Sequence, residues 1–209
     1  TKQGRGTRNC SPDKHDIQRL ALWVMSTTFS GGYTSDDDRS FAVAVTMGER
    51  GWRVVDLGDD ATDSLADAAQ ALRNLRSERA AVGMLNIDDD YFILVRQGVG
   101  SLRVVLSDAT AAVTDDIAAD VFDELDLDIP DLDEDELDDV DAWAEGDMDI
   151  LADLGCSEEA LESICDDQSL WASEQLLAIA EELGCAEELA DVADLDYDGD
   201  DDDYDPYDD

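Results

Sequence analysis

The spacing most suggestive of chemistry lies in an aspartate-rich tail. Asp194, Asp196 and Asp198 alternate ahead of Gly199, and Asp205 stands in the twelfth place of the same run. That order opens an EF-hand calcium loop, where alternating side-chain oxygens and a central glycine wrap one hard cation. Three features oppose it. Position eight is Asp201 where an apolar residue is wanted, position twelve is Asp rather than a bidentate Glu, and Pro206 excludes an exiting helix. An aspartate tract meets such a pattern by chance. Asp194, Asp196, Asp198 and Asp205 are thus a candidate metal set with a poor fit, and loose cation condensation is the expected behaviour.

Other chemistry-bearing residues fare no better. Asp88-Asp89-Asp90 could hold Mg²⁺, but it falls between two strand-like runs, where turn chemistry alone favours Asp. Ser107-Asp108-Ala109-Thr110 offers a Ser and an Asp, yet His15 is the only histidine, so a hydrolytic triad is missing and the pair reads as a helix cap. The four cysteines, Cys10, Cys156, Cys165 and Cys185, form no C-x-x-C, and a zinc site built on them is not expected. Reduced, partly buried thiols in a cytoplasmic protein fit better. No glycine loop is placed to cradle a phosphate. No catalytic residue and no cofactor are expected.

Charge is the strongest signal. The 209-residue chain carries a net −43. All 13 Lys and Arg lie at or before Arg103 together with 15 of the 56 acids, which leaves that part at −2; the other 41 acids follow with no basic residue. Such a field repels nucleic acid and anionic membrane, so direct RNA or DNA binding is not expected. Basic partners are favoured, although a merely solubilising surface accounts for the same composition. Arg96 and Arg103 flank Gly98–Ser101 and should face each other across a hairpin, where like charges repel. They need acids from this chain's own linker or from a partner. Internal pairing is the simpler outcome, and a contact patch of Arg53, Arg96 and Arg103, with Trp143, is the sharper one.

The elements that would carry these residues can be read from apolar periodicity. Phe41–Met47 and Trp52–Leu57 form a first hairpin around Gly48–Gly51. Asp63 or Ser64 caps a helix to about Arg76, with Leu65, Ala68, Ala69, Leu72 and Leu75 on one face. Ala80–Ile87, Tyr91–Arg96 and Leu102–Leu106 are three further strands, the last two joined by Gly98-Val99-Gly100-Ser101. A helix over Ala109–Leu125 follows. The expectation is an α+β fold: an antiparallel-rich, five-stranded sheet in the order β-β-α-β-β-β-α, with the two helices on one face.

Around this domain (41–125) lie weaker segments. Residues 1–40 are a basic leader and flexible lead-in. Met25 is the expected true start, with a basic arm folding onto the acidic half as the alternative. The apolar run Leu20–Met25 is too short for a signal core or a membrane span. Residues 126–148 are an acidic linker in which Ile129, Leu132, Leu137, Val140 and Trp143 are spaced like anchors. Residues 149–193 form a small helical module, in which Leu154-Gly155-Cys156 recurs as Leu183-Gly184-Cys185 with glycine closing a helix each time. Residues 194–209 are an acidic tail expected to be disordered.

Phe41–Val45, Asp88–Arg96, the stretch LSDATAA (Leu106–Ala112), Gly146–Gly155 and Gln175–Ala180 together resemble the actinobacterial tRNA adenosine deaminase-associated proteins. The similarity spans about residues 41–190. It implies a small cytoplasmic protein whose gene neighbours that of a tRNA-specific adenosine deaminase, and it brings no activity with it. The deaminase itself needs His-x-Glu and Pro-Cys-x-x-Cys for its zinc; neither occurs here. The reading that follows is a non-catalytic accessory or regulator in tRNA modification that binds the deaminase, or another basic protein, by protein–protein contact. The alternative is an acidic cation-binding or nucleic-acid-mimic protein unrelated to the deaminase.

Overall fold

The computed structural model describes residues 39–48, 51–75, 81–133, 136–137 and 140–197. The basic leader, Met25, Cys10, His15, Asp198 and Asp205 lie outside them. Six antiparallel strands form one sheet: β1 (Phe41–Gly48), β2 (Gly51–Asp56), β3 (Ala81–Ile87), β4 (Tyr91–Gln97), β5 (Leu102–Leu106) and β6 (Glu145–Gly146), in the spatial order β2-β1-β3-β4-β5-β6. Among the described residues five α-helices accompany it: α1 (Leu65–Asn74), α2 (Asp116–Glu124), α3 (Glu158–Cys165), α4 (Ala172–Leu183) and α5 (Ala186–Ala193).

Strand alternation sorts the core into two layers. Val43, Val45, Val82, Met84, Phe92, Leu94 and Val105 point to one face and pack with Ile150, Leu151 and residues of α3, α4 and α5. Ala42, Ala44, Leu85, Ile93, Val95, Val104 and Leu106 point to the other and pack with α1 and α2. The two helices anticipated beside the sheet do share one face; the C-terminal helices cover the opposite one. Coverage on both sides explains why Tyr91–Val95 is an unbroken apolar run rather than an alternating one. Fully burying a side chain such as Phe92 or Leu94 contributes about 2 kcal/mol each.

Ser64 caps α1 by accepting from the Asp67 backbone N–H at 3.1 Å. Among the described residues the sheet has six strands, not five. The sixth comes from the end of the acidic linker, where Val105 pairs with Gly146 and Leu106 with Glu145. The helix expected over Ala109–Leu125 is two pieces. Asp108 caps a 3₁₀ turn, Ala109–Val113, and Asp115 then caps α2 by accepting from the Ile117 N–H at 3.1 Å. A second cap inside the run starts a new helix instead of extending the first.

Residues 149–155, expected to be helical, are successive turns. Ile150, Ala152 and Leu154 donate three residues back, to Asp147, Asp149 and Leu151. The Ile150 carbonyl, which a helix would use internally, accepts from Arg96 Nη1 at 2.7 Å instead. Gly184 does close α4 in the left-handed region (φ 78). No helix among the described residues is long and apolar enough to cross a membrane.

Candidate functional site

Two polar clusters sit on the face that carries the C-terminal helices. The first grows from the β4–β5 hairpin, where Arg96 and Arg103 are directly opposed. Each is met by acids from the segment after β6. Arg96 grips the Asp153 carboxylate with both terminal nitrogens, at 2.5 and 2.7 Å, in the bidentate geometry that suits guanidinium to carboxylate. Its side chain is 11% exposed against 62% for Asp153, so the ion pair also shields a largely buried cation. Arg103 contacts Asp147 at 3.2 Å through Nε and Asp149 through Nη2. The hydrogen bond from Arg96 holds the Asp153 carboxyl below the usual carboxylate range. The opposed arginines are therefore paired within the chain, and they fasten the Asp147–Asp153 segment to the sheet.

The second cluster grows from the Asp88–Asp90 turn. Asp88 (φ 52) and Asp89 (φ 65) are both left-handed, the handedness that fits a tight hairpin and that Asp tolerates. Ser40 Oγ donates to Asp88 Oδ1 at 3.0 Å and accepts from the Asp88 backbone N–H at 2.9 Å. Asp89 is 5% exposed. It accepts from the Ser173 N–H at 2.8 Å and from Arg39 Nη1 at 3.2 Å. Burial works to raise the Asp89 pKa, but the hydrogen bonds from Ser173 and Arg39 prevail and lower it. Asp90 goes the other way, raised by burial and by Asp88, Asp89 and Asp108.

Asp89 thereby adds to the cap that the first turn of α4 supplies for itself, where Glu174 Oε2 accepts from the Trp171 N–H at 2.8 Å. Trp171 at the cap position has no side chain able to accept the free N–H groups of the first turn, so an aspartate 84 residues away in sequence accepts one of them. Sequence reading assigned Asp89 to turn chemistry alone; the available signal was a helix start lacking Ser, Thr, Asp or Asn. Asp89→Ala is expected to lower stability by about 2 kcal/mol in urea unfolding. A loss under about 0.5 kcal/mol, the ordinary range for a surface change, would show that the contact does not hold α4 to the sheet.

The other singled-out residues lie elsewhere. Arg53, on edge strand β2, pairs in register with Thr46, which places it on the α1 side of the sheet, opposite to Arg96 and Arg103. The three arginines do not form one patch. Trp143 is 37% exposed, and its carbonyl accepts from the Ala109 N–H at 2.8 Å. Asp194 is the left-handed residue that ends α5, and Asp196 lies just beyond it. Among the described residues no group of three or more His, Cys, Asp or Glu could hold a metal ion. Cys156, Cys165 and Cys185 are all buried free thiols.

Comparison with known proteins now places the chain. The model of a family described as Rv3753c-like tRNA adenosine deaminase-associated protein matches residues 40–186. This chain belongs to that family. A relative within reach of direct alignment is Protein Rv3753c of Mycobacterium tuberculosis (strain ATCC 25618 / H37Rv), 44% identical over 160 residues, which is 77% of this chain and 91% of that protein. No solved structure matches. The match begins at the residue before β1 and ends at the first residue of α5, so it spans Asp88–Asp90, Arg96, Arg103 and Asp147–Asp153 and leaves Arg39 just outside.

Proposed function

We propose that this protein is a non-catalytic accessory of a tRNA-specific adenosine deaminase, acting in the cytoplasm and binding the enzyme through an acidic surface. The observation that carries the reading is how the described cations are used. Three of the five described arginines, Arg39, Arg96 and Arg103, are each paired with an aspartate of the same chain, and the 41 acids after Arg103 have no basic residue in their own segment. A tRNA-binding enzyme must present a basic surface to its substrate, and that surface complements this one. Family membership supplies the association with the deaminase. The non-catalytic reading is supported by thiols that are buried and pushed toward the neutral form, which suits neither zinc ligation nor nucleophilic attack.

The test is co-purification of the full chain with the tRNA adenosine deaminase of the same organism, followed by calorimetric titration at rising salt. A complex is expected, weakening about tenfold or more between roughly 50 and 300 mM salt as the opposed fields are screened. No complex at any salt would overturn the accessory role. An affinity indifferent to salt would overturn the acidic-surface mode and point to apolar packing.

A further inference from the structure

One cleft in the described surface is rich in hydrogen-bond acceptors and poor in donors. It encloses about 540 Å³ where the Asp88–Asp90 turn meets the start of α4 and the end of α5. Asp89, Glu174, Asp194 and Asp196 line it. α5 has no basic residue in its last turn, so the negative end of its dipole adds to these carboxylates. Asn86 also lines the cleft and is fully buried. Its Nδ2 donates to the Arg39 carbonyl at 2.7 Å, which fixes the amide orientation and leaves Oδ1 as an acceptor with no partner. Beside these acceptors Trp171 is 60% exposed, a large aromatic left open to solvent. The one cation lining the cleft among the described residues is Arg39, whose guanidinium rests on Asp89 with 61% of its side chain still exposed.

We infer that this cleft receives an arginine side chain from a basic partner protein, and that Arg39 occupies part of it in the unbound chain. Four carboxylates, of which Asp89 and Glu174 already accept from Arg39 and from the Trp171 N–H, a buried amide oxygen without a donor and an open indole call together for a planar, multi-donor cation. A guanidinium can fork onto a carboxylate and lie against an aromatic face; a lysine ammonium offers only a point charge. Arg39 already shows that the Asp89 carboxylate accepts a guanidinium. The inference rests on the proposed reading that the chain works by protein contact, and it supplies one anchor for that contact.

The experiment follows the indole N–H resonance of Trp171, assigned with Trp171→Phe, in the ¹⁵N-labelled full chain. Two short peptides are titrated, identical except that one carries arginine and the other citrulline, which keeps the shape without the charge. A saturable shift is expected with the arginine peptide only. Arg39→Gln should strengthen that binding about two- to fivefold by removing the internal competitor, and Asp194→Asn with Asp196→Asn should weaken it. Equal responses to both peptides, or an Arg39→Gln variant that binds no better than wild type, would overturn the inference. Failure here is separable from failure of the accessory role. If Trp171→Ala captures the deaminase as well as wild type does, the cleft is not the anchor and the accessory reading survives. If the arginine peptide binds but the deaminase does not, the cleft stands and the accessory reading falls.

Discussion

Gly146→Ala is expected to cost about 3 kcal/mol or more, read as a lowered urea midpoint with loss of the C-terminal layer first. Gly146 has φ +124, a backbone conformation that side chains rarely adopt. An added Cβ would also stand 2.2 Å from the Val104 carbonyl oxygen and 2.9 Å from Val105 Cα, both backbone atoms that cannot swing away. The only relief is to move β6 off β5. That movement breaks the Asp147 N–H bond to the Val104 carbonyl at 2.9 Å and draws Asp147 and Asp149 from Arg103. It also loosens Ile150 and Leu151, both fully buried against the sheet. Gly100→Ala separates the two causes. Gly100 also has positive φ (+101), but nothing lies within 4 Å of its missing Cβ, so only backbone strain of about 1 kcal/mol applies. Equal losses for the two variants would show that close approach at β6 contributes nothing.

The same short strand marks where sequence reasoning reaches its limit. Strands β3 to β5 were legible because β-branched and aromatic runs end in glycine or aspartate turns, and these are local signals. The opposition of Arg96 and Arg103 followed from loop length alone and is what the register shows. Glu145-Gly146 carries no such signal. It is two residues long, without apolar alternation, and is a strand only because β5 offers an unpaired edge beside it. The turns over 149–155 were hidden for a related reason, since the Ile150 carbonyl is taken by an arginine 54 residues away. In the candidate site, aspartates at 88–90 could be placed in a turn from the sequence. That Asp89 also caps α4, and that Asn86 is left with an unpartnered oxygen beside Trp171, depends on how the C-terminal helices lie on the sheet.

The buried thiols give the second large effect, and it lies on the alkaline side. Burial pushes Cys165 and Cys185 from an ordinary 9.0 up to about 12, with Asp166 and Glu188 respectively adding to it. Burial raises Cys156 in the same sense. A raised folded-state value means that the unfolded chain releases its proton first. The stability these neutral thiols carry is therefore complete below about pH 9 and is lost progressively as pH climbs from 9 toward 12. Each thiol contributes a slope of at most about 1.4 kcal/mol per pH unit in that window. Tyr91, also raised by burial with Asp115 beside it, steepens the loss once pH passes its ordinary 10.0. Urea unfolding at pH 7.5, 9 and 10 should thus show a fall that begins before the tyrosine can act. The double variant Cys165→Ala, Cys185→Ala should start from lower stability at neutral pH, because each loses buried sulfur, yet fall less between pH 9 and 10. If wild type and variant decline in parallel there, the thiols titrate normally and the layer of α3 to α5 is more open to water than its burial implies.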